Sequence, residues 1–159
     1  MMTKIEKQII ETWRLHNRVN IFFIENIPDE ALKATLSKRG GRDIARQIAH
    51  IHNVRVWRLE AFSKKLKIKL TEFEKGESPD KQRLINALNQ SGEVMEKYIE
   101  FCITNDGDVS NFSLGVVPML SYYITHEAHH RGSILLTMKQ SGYKLTDELK
   151  WGIWDWKKL

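Results

Sequence analysis

Apolar residues recur at intervals of three and four along four long stretches of this sequence, at about 4–26, 44–63, 78–104 and 119–140. This spacing is typical of amphipathic helices, and no stretch alternates apolar and polar residues convincingly, as a strand would. Only three prolines interrupt the chain of 159 residues. The pattern predicts an all-α fold, a four-helix bundle that forms a single domain over residues 1–159.

Helix boundary signals divide the chain further. Pro28 ends the first helix and suits the first turn of a short extra helix at 29–37. Asp43 is expected to cap the second helix, and Ser78-Pro79-Asp80 to start the third, with the Ser78 hydroxyl as cap and the proline in the first helical position. Gly142 is expected just beyond the end of the fourth helix.

The composition argues against several classes of protein. No apolar run reaches the roughly 18 residues that cross a membrane, and the first ten residues lack the pattern of a signal peptide. The single cysteine, Cys102, rules out an intrachain disulfide, so we expect a cytoplasmic protein with Cys102 as a core residue. The net charge of +5 is spread along the helix faces. The densest basic run, at 64–69, lacks aromatic residues that could stack on bases, and we expect no nucleic-acid partner.

The C-terminal tail at 146–159 is rich in tryptophan. It contains Trp151, Trp154 and Trp156, three of the five tryptophans of the chain. So many large apolar side chains in a short segment indicate that the tail packs back onto the bundle.

Histidines are the residues most suggestive of chemistry. His126 and His130 are four residues apart, so they share one face of the fourth helix, from which two imidazoles can reach one metal ion. His129 lies about 60° away round the helix and is left out of the ligand set. On the second helix His50 and His52 project about 200° apart, so only one of them can serve the same site. His50 shares its side with Gln47, Val54 and Trp57 and is expected to face inward, whereas His52 is expected to meet solvent.

Three interpretations of these histidines stand side by side. His50, His126 and His130 could bind a metal in an open site, or they could simply be hydrogen-bonded in the core. His126-Glu127-Ala128-His129-His130 also matches the zinc-protease pattern, but no third ligand follows at the expected spacing. Glu127 has an ordinary alternative role as the surface ion-pair partner of Arg131.

The blocks IARQIAHIHNVRVW (44–57) and THEAHHRGSILLTMKQSGY (125–143) resemble the DinB/YfiT-like family. The most specific feature is the sequence His126, His130, Arg131 and Gly132, together with the upstream histidine at position 50. The resemblance covers nearly the whole chain, whereas the tail LKWGIWDW departs from it.

The resemblance implies a DinB-like bundle with up-down-down-up helix directions, often assembled as a homodimer. It also implies a divalent transition metal, usually nickel or zinc, held by His50, His126 and His130. Characterised relatives include enzymes that transfer low-molecular-weight thiols to electrophiles and a thiol-dependent isomerase.

We therefore expect a metal-dependent enzyme that activates water or a low-molecular-weight thiol, as a hydrolase or S-transferase acting on a small molecule. The alternative is a non-catalytic bundle that binds a metal or ligand in a stress response. Arg131 could bind a substrate carboxylate instead of pairing with Glu127. Gly132, inside a helix, suggests close approach of another helix or a ligand.

Overall fold

The computed structural model describes residues 2–159, which form helices joined by loops. The helices are α1 (Lys4–Glu25), a 3-10 helix (Asp29–Lys33), α2 (Ile44–Lys65), α3 (Lys81–Thr104), α4 (Val116–Gln140) and α5 (Asp147–Gly152). No strand occurs among these residues. The all-α prediction, with four long helices, a short extra helix and a packed tail, is confirmed.

Side-chain caps fix where the helices begin. Asp43 accepts a hydrogen bond from the backbone N–H of Arg46 at 2.8 Å and caps α2 as expected. The start of α3 was predicted wrongly, because Asp80 rather than Ser78 is the cap, with its carboxylate 2.9 Å from the Arg83 nitrogen. A carboxylate is the more favourable cap because it also meets the positive end of the helix dipole.

Two other boundaries differ from expectation. The 3-10 helix ends at Lys33 and does not continue to residue 37, because the chain turns extended at Ala34, whose carbonyl accepts from Ile44 N–H at 3.1 Å. Helix α4 begins at Val116, three residues before the predicted start. Gly142 follows its last residues with a φ of +84°, as predicted for a residue that ends a helix in the left-handed conformation.

Helices α1 and α4 run in the same direction. His16 lies 2.7 Å from Glu127, and one turn further along both helices Asn20 accepts a hydrogen bond from Arg131. Each step forward on α1 therefore corresponds to a step forward on α4.

Helices α2 and α3 are also parallel to each other and opposite to α4. His52 contacts Ser91, and further along both helices the rings of Phe62 and Tyr98 are 5.1 Å apart. By contrast Gln47, near the start of α2, contacts His130 in the second half of α4, while Arg58 reaches back to Tyr123. The up-down-down-up order is therefore confirmed.

A layer of buried polar residues crosses the bundle at mid-height. It separates two apolar clusters, one towards each end of the bundle. All four long helices contribute to this polar layer, whose buried members are His16, Asn20, His52, Arg55, Ser91 and Glu127. Buried polar groups are costly unless they are hydrogen-bonded, so the side chains of this layer must find their partners inside the bundle.

The tail packs back onto the bundle, but its tryptophans are not what it buries. Leu149 and Ile153 are 1% and 9% exposed and join the core. Trp151, Trp154 and Trp156 are 67%, 68% and 56% exposed. Residues four apart share one face of a helical turn, so burying Leu149 and Ile153 turns Trp151, which lies between them, outwards.

Cys102 is fully buried, as expected, and burial raises the pKa of its thiol. Within residues 2–159, none of the helices combines the length and the apolar composition required to cross a lipid bilayer.

Two glycines inside helices have opposite surroundings. A Cβ added at Gly92 would lie 2.6 Å from the Asn17 amide on α1, whereas one added at Gly132 would have no neighbour within 4 Å. The expected close approach of another helix to Gly132 is therefore wrong, and it occurs at Gly92. The Gly92 carbonyl also accepts from Trp13 Nε1 at 2.9 Å.

We expect Gly132→Ala to raise the free energy of unfolding by about 1 kcal/mol, since alanine has the higher helix propensity. Gly92→Ala should lower it by about 1–3 kcal/mol, because the added Cβ would displace the Asn17 amide, which accepts a hydrogen bond from the buried Arg55 at 2.8 Å. Urea unfolding of the two variants tests this pair. A shift of the same sign in both would contradict the packing described here.

Candidate metal centre

Three histidines from two helices converge on one side of the polar layer. His50 on α2 meets His126 and His130 on α4, and one side-chain nitrogen from each lies within 4.8 Å of the others. The ring centroids are 5.4 Å apart for His50–His126, 5.2 Å for His50–His130 and 4.8 Å for His126–His130. The structure thus brings together the three residues that the sequence singled out.

The hydrogen bonds of these imidazoles fit a metal-binding role. His126 Nδ1 is buried and has no hydrogen-bond partner among residues 2–159. Buried polar atoms are nearly always hydrogen-bonded, so this nitrogen without a partner is the kind of atom that could bind a metal ion. His130 Nδ1 makes a long contact of 3.5 Å with the Gln47 carbonyl oxygen, which can only accept. That contact leaves Nε2 of His130 as its ligand nitrogen.

The cluster is held in the neutral state that metal binding requires. Burial and the neighbouring positive charges of Arg42 and His126 lower the pKa of His50 to about 4. Burial and the other imidazoles lower the pKa of His130 to about 4 as well, and burial also lowers that of His126. All three imidazoles therefore offer a lone pair near pH 7.

These pKa values predict a pH dependence of the metal-free fold. The unfolded chain protonates its histidines near pH 6.5, whereas the folded chain keeps His50 and His130 neutral down to about pH 4. Between those values the unfolded state binds more protons, so stability rises with pH, is complete above about 6.5 and is lost as the pH falls towards 4.

Thermal unfolding from pH 4 to 7 in the presence of a chelator measures this slope. The double variant His50→Asn/His130→Asn should have a flatter profile than the wild type. Identical slopes would mean that the two imidazoles titrate normally.

The other two histidines singled out by the sequence lie elsewhere. His129 is exposed, with its ring 5.6 Å from that of His130. His52 was expected at the surface but is 1% exposed: its Nε2 donates to the Thr71 carbonyl at 3.0 Å, and its Nδ1 lies 3.1 Å from Ser91 Oγ. Helix α2 lies between α4 and α3, so His50 faces α4 whereas His52 faces α3. The loop that follows α2 covers His52 as well.

Glu127 is not the surface residue that its spacing suggested. It is fully buried, and Arg55 donates from Nε and Nη2 to its two oxygens at 2.7 Å. His16 and Asn20 donate to Oε2 at 2.7 and 2.6 Å. Burial alone would raise the pKa of this carboxyl, but Arg55 and His16 overcome it and hold the pKa well below its usual range. A carboxylate so stabilised, with its acceptor sites filled, cannot act as a general base near pH 7.

Arg131 does not form the expected ion pair with Glu127. Its Nη1 donates to the Asn20 amide oxygen, and no carboxylate among residues 2–159 lies within ion-pair distance of its guanidinium. The residues that sequence reasoning missed are His16, Asn20 and Arg55. The sequence does contain a signal for two of them, since His16 and Asn20 are polar residues four apart on the apolar face of α1.

The surroundings of the cluster are aromatic and basic. Trp57, expected to face inward, is 56% exposed and stands edge-on to His50, while the Tyr122 ring is stacked parallel to His126. A cavity of about 590 Å³ beside His50 is also lined by Arg42 and Trp57. A second cavity, of about 650 Å³, is lined by Trp57 and Tyr122, which contact the cluster, but not by the three histidines themselves. Nothing in the sequence signalled Arg42, which precedes the cap of α2.

No curated protein sequence shows significant similarity to the chain. The sequence profile of the DinB family matches residues 1–147, which contain all four long helices and the three clustered histidines. The match ends where the tryptophan-rich tail begins. The chain belongs to the DinB family.

Proposed function

We propose that this protein is a metal-dependent enzyme whose open site is formed by His50, His126 and His130. The observation that carries the proposal is the convergence of three neutral imidazoles, one of which has a buried nitrogen without a hydrogen-bond partner. Three protein ligands leave a coordination position for a reactant, which is typical of catalytic sites rather than structural ones. Imidazole ligands suit nickel and zinc, which are the metals we propose.

A bound divalent ion would supply Lewis acidity, which lowers the pKa of a coordinated water or thiol. The chain's own residues supply positioning. Gln47 orients His130, and the exposed faces of Trp57 and Tyr122 form apolar walls on either side of the cluster. Arg42, whose charge already affects all three imidazoles, favours an anionic reactant in the cavity beside His50.

The absence of a nearby base favours a thiol over water as the reactant. Among residues 2–159 no carboxylate joins the histidine cluster, and Glu127 is committed to Arg55. A thiol has a pKa near 8.5, far below that of bulk water near 15.7, so it needs less help to ionise. We therefore propose transfer of a low-molecular-weight thiol to a small electrophile, with hydrolysis as the second reaction to test.

The experiment uses tag-free protein, loaded with zinc or nickel or treated with a chelator. Conjugation of cysteine and other small thiols to chlorodinitrobenzene, and hydrolysis of an activated ester, are measured in both forms. The proposal predicts metal-dependent thiol transfer that His126→Ala abolishes and His129→Ala leaves unchanged. A protein that binds metal stoichiometrically yet shows no metal-dependent turnover would instead be the non-catalytic metal-binding bundle.

A further inference from the structure

A third cavity lies on the side of α4 that faces away from the histidines. It has a volume of about 310 Å³, lies between α1, α4 and the C-terminal tail, and contains none of the three clustered histidines. Its apolar walls are Leu15, Val19, Ile124, Leu135 and Ile153, with the indoles of Trp154 and Trp156. This volume is at the small end of the range for ligand-binding sites, about 300–1,000 Å³.

Three polar side chains, Thr12, His16 and Arg131, interrupt this apolar wall, and Arg131 is the guanidinium cation among them. Arg131 lines the cavity, and one of its terminal nitrogens is engaged by Asn20. Among residues 2–159 no carboxylate lies within ion-pair distance of its guanidinium, and the nearby Glu127 carboxylate is bonded instead to Arg55 and His16. The buried cluster therefore contains two guanidinium groups and one carboxylate. An uncompensated cation beside an apolar cavity is suited to an anion, and guanidinium matches a carboxylate in two-point geometry.

Gly132 forms the floor of the cavity, and the tryptophans that form part of its walls are exposed. Gly132 lines it, and a side chain added there would meet no atom within 4 Å. Trp154 and Trp156 are more than half exposed although they border an apolar space. A ligand with an apolar body would cover both indoles, which are large apolar surfaces otherwise left in water.

We propose that this cavity is a binding site for a small amphipathic monocarboxylate. The carboxylate pairs with Arg131, and the hydrocarbon part lies over Gly132 between α1, α4 and the two indoles. The site is separate from the histidine cluster, and it does not depend on the proposed enzymatic function.

The test compares octanoate with octanol, which share an apolar chain and differ in charge. Each is titrated into the full-length protein by calorimetry, with tryptophan fluorescence as a second readout. Octanoate should bind about tenfold or more tightly than octanol, as the loss of one charge-assisted hydrogen bond implies. Metal loading should leave the octanoate affinity unchanged. An affinity that appears only with metal would place the carboxylate at the histidines and overturn the proposal.

Two variants and a matched control locate the site. Gly132→Leu extends a side chain from a position where an added Cβ meets no atom within 4 Å, and it should abolish octanoate binding while circular dichroism shows that the helices remain. Arg131→Met should reduce octanoate to the affinity of octanol. Thr125→Leu places the same leucine side chain at an exposed position of α4 outside the cavity and should bind as the wild type does.

Three further results would overturn the proposal. Equal binding of octanoate and octanol by the wild type would remove the role of Arg131. Undiminished binding by Gly132→Leu would place the ligand elsewhere. A dimer that dissociates when Gly132 is replaced by leucine and that binds no octanoate, measured by light scattering, would assign the face to a second copy of the chain.

Discussion

Glu127→Gln should lower the free energy of unfolding by about 3–5 kcal/mol, the cost of leaving one partner of a buried ion pair without the other. Glu127 and Arg55 are both fully buried, and the guanidinium donates to both carboxylate oxygens. With glutamine at position 127 the Arg55 charge would remain in the core without its counter-charge. Urea unfolding at neutral pH measures the loss.

The matched control is Glu60→Gln, which removes a carboxylate from an ion pair with Lys64 whose side chains are 68% and 73% exposed. Exposed pairs of this kind contribute little to stability, because water and salt screen the two charges. The double variant Arg55→Met/Glu127→Leu, with both charges removed, should recover much of the lost stability. If Glu127→Gln costs no more than Glu60→Gln, the polar layer does not hold the helices together.

Replacing His126 by alanine should weaken binding of nickel or zinc by more than about a hundredfold. Loss of a residue that only supports a metal ligand costs about 10–100-fold, and loss of a ligand exceeds that. His126 is the residue to replace because its Nδ1 is the buried nitrogen without a hydrogen-bond partner. Competition titration with a chromophoric chelator measures the affinity, and circular dichroism checks that the helices remain.

His129→Ala is the matched control, since it removes an imidazole three residues away on the same helix. His129 is exposed and lies outside the cluster of nitrogens. Its removal should leave the affinity within about twofold, well inside the 10–100-fold loss that even a supporting residue would cause. Equal losses in the two variants would mean that the metal binds to the surface of α4.

The cluster could be anticipated from the sequence because helical spacing fixes which residues share a face. His126 and His130 had to lie together, and of His50 and His52 only one could join them. His50 joins the cluster as predicted, whereas His52, which was expected to meet solvent, is buried. Whether a helix face is buried depends on the elements that cover it, here α3 and the segment at 66–80, and local pattern does not reveal them.

The polar layer escaped prediction for a related reason. Local spacing suggested Arg131 as the partner of Glu127, since residues four apart on a helix are neighbours. The actual partner, Arg55, is 72 positions away in sequence and is brought there by the antiparallel packing of α2 and α4. The tail shows the same limit. Its apolar content predicted that it would pack, but which apolar residues it buries depended on the turn of α5.

Anomalous diffraction from crystals of the metal-loaded, tag-free protein tests the central claim most directly. We expect one strong peak per chain, with nitrogens of His50, His126 and His130 each about 2.0–2.1 Å from the ion. A peak at His129 or elsewhere on the surface, or no peak between α2 and α4 after loading with zinc and with nickel, would contradict it.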